Sequence, residues 1–302
     1  MRLDKYLSEK TGFSRNQITN LIKNGLVKVN KKTITKPSFK VGDTDIVEYE
    51  TKSFEEKKEI KVDFDVPIIY EDDDILVINK PSGLVIHPAP SVKEATLVDW
   101  LKAKNITLST ISGEERHGIV HRIDKETTGA LVIAKNNEAH QFLSDQLQNK
   151  TMGRIYLAII DLPLKENIEI DRPIARNPKN RLKQAIVANG RNAKTWFMPL
   201  CENVIACKLF TGRTHQIRVH LASINRHILG DELYGAKKSE DRVMLHAYIL
   251  YLIHPTTKKE MIFKAEIFDD MKKKLKECDD EKLNENRIIN EFNTFSDYRV
   301  YN

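Results

Sequence analysis

The sequence predicts an α+β protein: a mixed, mainly antiparallel sheet in one large unit, preceded by a small N-terminal α/β unit. Three observations carry this. Strand-like and helix-like segments mix without regular β-α alternation, which speaks against a doubly wound parallel sheet. Residues 1–50 hold their own helical and strand periodicities. Residues 51–66 are dense in mixed charge and read as a linker entering a second domain at Pro67. With 302 residues, the chain has the length of about two domains and can bury a full core.

In the N-terminal unit, Leu3, Tyr6 and Leu7 fall on one helical face. Ser14 is placed to cap a second helix carrying Ile18, Leu21 and Ile22, which Gly25 ends. Val27–Val29 and Ile46–Tyr49 follow as short strands, with a polar turn at 30–32. Beyond the linker, Ile75–Ile78 is an apolar strand after an acidic turn, and residues 130–134 form another. Asn136 caps a helix running through Lys150, with Ala139, Phe142, Leu143 and Leu147 on one face. Residues 154–160 are strand-like again. Residues 216–221 also read as a strand, with Ile217, Val219 and Leu221 on one face and Gln216, Arg218 and His220 on the other. Residues 268–302 turn polar and read as a poorly determined tail, with a helix expected over 271–277.

Charge points to a polyanionic partner. The net charge is +6, and residues 171–194 hold Arg172, Arg176, Lys179, Arg181, Lys183, Arg191 and Lys194 against one acid, Asp171. No apolar run of about 18 residues exists to span a membrane as a helix, and the N-terminus shows no signal-peptide core. Three cysteines, Cys201, Cys207 and Cys278, form no Cys-x-x-Cys pair. They are expected unpaired in a reducing cytoplasm, two in strands and one in the tail. His121, His215 and His220 lack the spacing of a zinc set, so no metal is expected.

Three blocks carry the chemistry. The central one, His121 to Gly129, sets Asp124 among cations at the mouth of an apolar strand. Neighbouring positive charge favours an ionised carboxylate, and such a carboxylate is a candidate nucleophile. Upstream lies the block from Tyr70 to Pro88, containing Asn79, Lys80 and His87. Downstream lies the block from Thr211 to Leu221, containing Arg213, His215, Gln216 and Arg218.

In order and approximate spacing these blocks closely resemble the RluA-type pseudouridine synthases, over roughly residues 66–267. The resemblance implies a catalytic domain over 67–267 that isomerises uridine to pseudouridine in RNA, with no cofactor. By the same resemblance, Asp124 is the catalytic aspartate and Arg218 the basic residue paired with it. Tyr156 is the active-site tyrosine, whose ring stacks on the flipped uracil and whose hydroxyl is a candidate to take the C5 proton. Arg122 is expected to meet phosphate or fill the vacated stack; His121, Asn79, Lys80, His87, Arg213, His215 and Gln216 are expected to shape the pocket and contact RNA.

The N-terminal layout is similar to the alpha-L RNA-binding fold, with Arg2, Lys5, Arg15 and Lys23 as expected phosphate contacts. That domain favours a substrate in large-subunit (23S) ribosomal RNA or the assembling large subunit, bound by a monomer. Alternatives are a member acting on transfer RNA, a non-catalytic RNA-binding or ribosome-assembly protein, or a glycosidic-bond hydrolase. Ile123 and Thr128 depart mildly from the family pattern, which has leucine and serine there. Asn225-Arg226-His227 replaces the family's common Gly-His-Pro, which puts RNA contacts of that loop in doubt.

Overall fold

The computed structural model describes residues 1–11, 13, 15–42, 44–50, 61–89, 92–109, 118–275 and 278–295. The Ser14 cap, residues 51–60 of the linker, part of the 271–277 helix and the end of the tail lie outside the described residues. The chain forms two compact units, Met1–Lys61 and Val62–Asn302.

In the first unit, α1 (Leu3–Thr11) and α2 (Arg15–Lys23) precede a sheet of β1 (Val27–Val29), β2 (Lys32–Thr33) and β3 (Val47–Tyr49), ordered β2-β1-β3. Leu3, Leu7, Ile18, Leu21, Ile22, Val27 and Val29 form its core. The apolar spacing of both helices therefore does the packing that the sequence anticipates. Gly25 takes φ +74° just past α2, the left-handed conformation that ends a helix. Arg2 and Arg15 both bond the buried Asp4 carboxylate and stay more than half exposed. Lys5 pairs with Glu9 one turn on, and Lys23 lies exposed in the last turn of α2.

The second unit contains β4 (Ile68–Glu71), β5 (Ile75–Lys80), α3 (Leu97–Ala103), β6 (Thr128–Ala134), α4 (Asn137–Asn149) and β7 (Gly153–Ile159). Next come β8 (Ile168–Asp171), β9 (Ile174–Arg176), β10 (Gln184–Ile186), β11 (Lys194–Cys201), β12 (Val204–Leu209) and α5 (Gln216–Ala222). It ends with β13 (Leu245–Ile253), β14 (Glu260–Lys264), α6 (Asp269–Lys272) and α7 (Glu285–Phe295). A 9-stranded sheet runs β4-β5-β6-β13-β7-β12-β11-β8, with β14 also on β13. Only the short β13–β6 pairing is parallel; β9 and β10 form a separate hairpin. β5, β6 and β7 are buried throughout, and β5 and β6 alternate between two cores. Leu76, Ile78, Leu131 and Ile133 face one, and Ile75, Val77, Val132 and Ala134 the other. Asn136 caps α4 by accepting from the Ala139 amide.

Three expectations are corrected. Residues 62–66 belong to the large unit: Val62, Phe64 and Val66 pack on its core, and Asp65 accepts from the Trp100 indole. The C-terminal segment is folded as far as it is described, because its sparse apolar residues recur at helical spacing. Met271, Leu275, Cys278, Ile288, Ile289 and Phe292 join the main core, in a chain stretch whose polar residues mask that periodicity. Cys201 and Cys278 form a disulfide across 77 residues, brought together by this folding back. Cys207 stays free and buried in β12. The cysteines therefore no longer bear on the compartment.

Candidate active site

Asp124 lies in the loop leading into β6, and backbone carbonyls around it are held from several sides. Thr127 N–H closes a turn on the Asp124 carbonyl at 3.1 Å. Lys80, fully buried at the end of β5, donates to the carbonyls of Pro81, Leu84 and Lys125 at 2.8, 2.9 and 3.0 Å. Ser82 Oγ donates to the Glu126 carbonyl at 3.0 Å. Burial pulls the Lys80 ammonium down to about 7, opposed by Glu126 and Asp124. The three carbonyls match the three protons of its charged form. The first sequence block thus acts on the second by fixing its loop.

Gly129 anchors the other end. It has φ +111°, and a Cβ there would lie 2.3 Å from the Ala247 carbonyl oxygen of β13. Only glycine allows β6 to approach β13 this closely.

Arg218 approaches from α5. The segment is a helix where alternation predicts a strand, because His215 adopts φ 56° and turns the chain. Short apolar runs do not separate the two periods. Buried Gln216 secures the turn: its Oε1 accepts from Thr211 Oγ1 and the Arg213 amide, and its Nε2 donates to the Lys194 carbonyl and Thr195.

Arg218 faces two carboxylates. Its Nε and Nη2 bond both oxygens of Asp231, each at 2.7 Å. Its Nη1 stands 3.6 Å from Asp124 Oδ2. The bidentate partner is therefore Asp231, and Asp124 receives the remaining edge. Burial works against the guanidinium charge, but Asp231 and Asp124 outweigh it and raise its pKa. Gly230, at φ +78°, lets the Asp231 loop dock: a Cβ would meet the Arg242 carbonyl at 2.1 Å.

His215 Nε2 lies 4.0 Å from Asp124 Oδ2, and its Nδ1 is 2.8 Å from Tyr234 Oη. Tyr234 Oη accepts from the Gln184 amide, so its own proton is available to Nδ1. That tautomer puts the His215 proton on Nε2, toward Asp124. Burial lowers the His215 pKa despite Asp124, keeping the ring neutral near neutral pH. Arg218 also sits 5.0 Å from the centre of the Tyr234 ring.

Tyr156 projects from β7 into the same cleft. Among the described residues that line it, which include Arg122, Arg154, Arg213, His215, Gln216 and Arg218, Asp124 is the only acid. Burial raises the Tyr156 phenol, so it stays protonated, with Arg154 opposing. Its ring is available for stacking, while a protonated phenol is poorly suited to remove a proton. Arg122 is exposed at the cleft mouth and also lines three neighbouring hollows.

The family models match this layout: that described as RNA pseudouridylate synthase covers residues 74–223, and that of the S4 domain covers residues 1–47. An uncharacterized RNA pseudouridine synthase of Helicobacter pylori strain J99 is 44% identical, over 96% of this chain and 95% of that one. The chain belongs to the RNA pseudouridine synthases. This pseudouridine synthase is an isomerase, and it carries a small N-terminal RNA-binding domain. The Zymomonas mobilis protein named ribosomal large subunit pseudouridine synthase D is 38% identical, over 89% of this chain and 91% of that one. In fold, the synthase is like human RNA pseudouridylate synthase domain containing 4. That structure has a TM-score of 0.55 and 24% identity, covering 69% of this chain and 91% of that one.

The structure thus gathers Asp124, Tyr156, Arg218, Arg122, Arg213, His215 and Gln216 around one cleft. Asn79, Lys80 and His87 do not line it. Asn79 donates to the Glu266 carbonyl, and Lys80 holds the loops through three carbonyls, so both act as supports in the structure. Gln216 is chiefly a loop clamp. Arg213 Nε is engaged with the Asn192 carbonyl. His121 lies in an adjoining hollow. His220 bonds Thr195 and the Arg172 carbonyl, away from any metal-like set. Among the described residues no group of three His, Cys, Asp or Glu could hold a metal, and no helix is long and apolar enough to cross a membrane.

Asp231, Tyr234 and Arg154 were not singled out by sequence reasoning. A signal for Asp231 existed: a buried arginine needs a buried acid, and Gly230-Asp231 lies at an apolar turn.

Proposed function

We propose that this pseudouridine synthase is an RluA-type member that isomerises uridines in large-subunit ribosomal RNA, with Asp124 as its catalytic carboxylate. The observation that carries the reading is the single carboxylate in the cleft, beside Arg218 and across the same hollow as Tyr156. A glycosidase needs two opposed carboxylates with separate duties; among the described residues the hollow that Asp124 shares with Tyr156 has one, and Asp231 in the adjoining hollow is taken up by Arg218. The likeness to a relative named for the large ribosomal subunit supports the substrate class, as does the N-terminal RNA-binding domain.

In this reading Asp231 fixes the Arg218 guanidinium, which orients the Asp124 carboxylate toward the ribose or base of an extruded uridine. Tyr156 stacks against the uracil while its glycosidic bond is broken and remade through C5. The protonated Tyr156 hydroxyl serves as a hydrogen-bond donor, leaving Asp124 as the acceptor for a proton in the cleft. Arg122 occupies the mouth, where it meets phosphate or fills the vacated stack.

The test is carbodiimide mapping of large-subunit ribosomal RNA from a deletion strain complemented with parent or Asp124→Asn. The parent restores specific pseudouridines and the variant restores none, while purified Asp124→Asn still binds RNA. An unchanged large-subunit profile on deletion, with changes in transfer RNA instead, would move the substrate class. Parent-like modification by Asp124→Asn would remove the catalytic assignment.

A further inference from the structure

A second hollow adjoins the catalytic cleft and shares Arg122, Arg154, Leu209 and Gly212 with it. His121, Arg122, Lys150, Arg154, Arg191 and Lys208 line it, and among the described residues no Asp or Glu does. This is an electropositive groove continuous with the place where the uridine sits.

Two of its side chains are buried donors without acceptors. Arg154, on β7, is 7% exposed, and its Nε has no hydrogen-bond partner among the described residues. His121 is 8% exposed. Its Nε2 accepts from the Val132 amide at 3.2 Å, so the proton of the neutral ring lies on Nδ1. That Nδ1 has no partner among the described residues either. Burial and the nearby Arg154 charge both lower the His121 pKa. A buried cation and two unmet donors are unfavourable unless a ligand supplies negative charge and acceptor oxygens. A phosphate diester supplies both.

We propose that this hollow is a subsite for one backbone phosphate of the RNA strand next to the target uridine. Arg154 and His121 form its inner wall, and Arg191, Lys150 and Lys208 surround it. The subsite rests on the reading that the target uridine lies against Asp124, since the shared residues make the two hollows one path. Phosphate in the groove would favour the charged form of Lys208, which burial pushes down to about 8.

The test uses the full chain and a fluorescent single-stranded oligouridylate, with anisotropy followed across potassium chloride concentrations. For a single strand, neutralising one phosphate fewer lowers the slope of log Kd against log salt by about 0.7. Arg154→Gln is expected to show that decrease. So is Arg191→Gln, a variant at an exposed position that guards against misfolding of the first. Asp124→Asn is expected to keep the parent slope. Inorganic phosphate, added at constant ionic strength, should compete with oligouridylate on the parent and not on Arg154→Gln. Parent-like slopes in both arginine variants would overturn the subsite. Phosphate that binds without displacing oligouridylate would make this a free-anion site and equally overturn it. Loss of pseudouridine formation in Asp124→Asn reports on the catalytic reading separately, so either can fail while the other stands.

Discussion

Arg218 shows how one side chain serves two carboxylates. Its Nε and Nη2 are committed to Asp231, which is 1% exposed, and only Nη1 faces Asp124. Removing one member of a buried ion pair strands the other, at a cost of about 3–5 kcal/mol. Asp231→Ala should therefore lose stability of that order in urea denaturation and lose activity with it, although Asp231 does not line the hollow that Asp124 shares with Tyr156. Parent-like stability would show that the pair is dispensable. The sequence made Arg218 visible through its motif context, but not which of the nearby acids its fork would hold. Pairing is decided by which carboxylate the fold delivers to the fork of the guanidinium, and Asp231 arrives on a separate loop.

At the scale of elements, the Asp124 loop is set by a strand junction. The parallel contact of β6 with β13 at Thr128 and Gly129 leaves no room for a side chain at Gly129. Gly129→Ala must relieve both the contact with Ala247 and a left-handed φ. Backbone strain and overpacking each cost about 1–3 kcal/mol. The variant should unfold at lower urea and lose activity together, and an unshifted midpoint would contradict the close approach. The helices α1, α2 and α4 and the strands β5 to β7 were legible because each repeats its period over enough residues. The helix α5 was not. Its alternating apolar residues suit a strand equally well, and the left-handed His215 that redirects the chain has no marker in the sequence.

On the scale of the whole molecule, the C-terminal segment is part of the core. Leu275, Ile288, Ile289 and Phe292 are buried, and burying such a side chain contributes about 1.5–3 kcal/mol. Deleting residues 268–302 should yield an unstable or insoluble protein; a soluble truncation with the parent's thermal midpoint would refute this. A second whole-molecule property is acid sensitivity. His121, His140, His215, His220 and His246 all have pKa values lowered, chiefly by burial, His246 to about 4. Below an unfolded pKa of about 6.5 the unfolded chain binds protons that the folded chain refuses, so stability falls as pH falls. For His246 the loss runs from about 6.5 down to about 4, at roughly 1.4 kcal/mol per pH unit. Urea midpoints should drop from pH 7.5 to pH 5. His246→Gln, which also loses the bond to Thr128, should start less stable and drop less. A midpoint independent of pH over that window would refute the buried-neutral histidines.

By itself the sequence determined the class of fold, the two-part organisation and the family, through three blocks and a basic N-terminal unit. It also marked Asp124, Tyr156 and Arg218 as the residues to watch. These are local properties, carried by residue identity and short periodicities. Only the tertiary structure decided that Asp231 holds Arg218, that Lys80 clamps the Asp124 loop and that Cys278 meets Cys201. It likewise brought Arg154 and His121 beside the cleft around Asp124. Each of these depends on contacts between segments far apart in the chain, where charge and hydrogen-bond demand are satisfied by whatever the fold brings near.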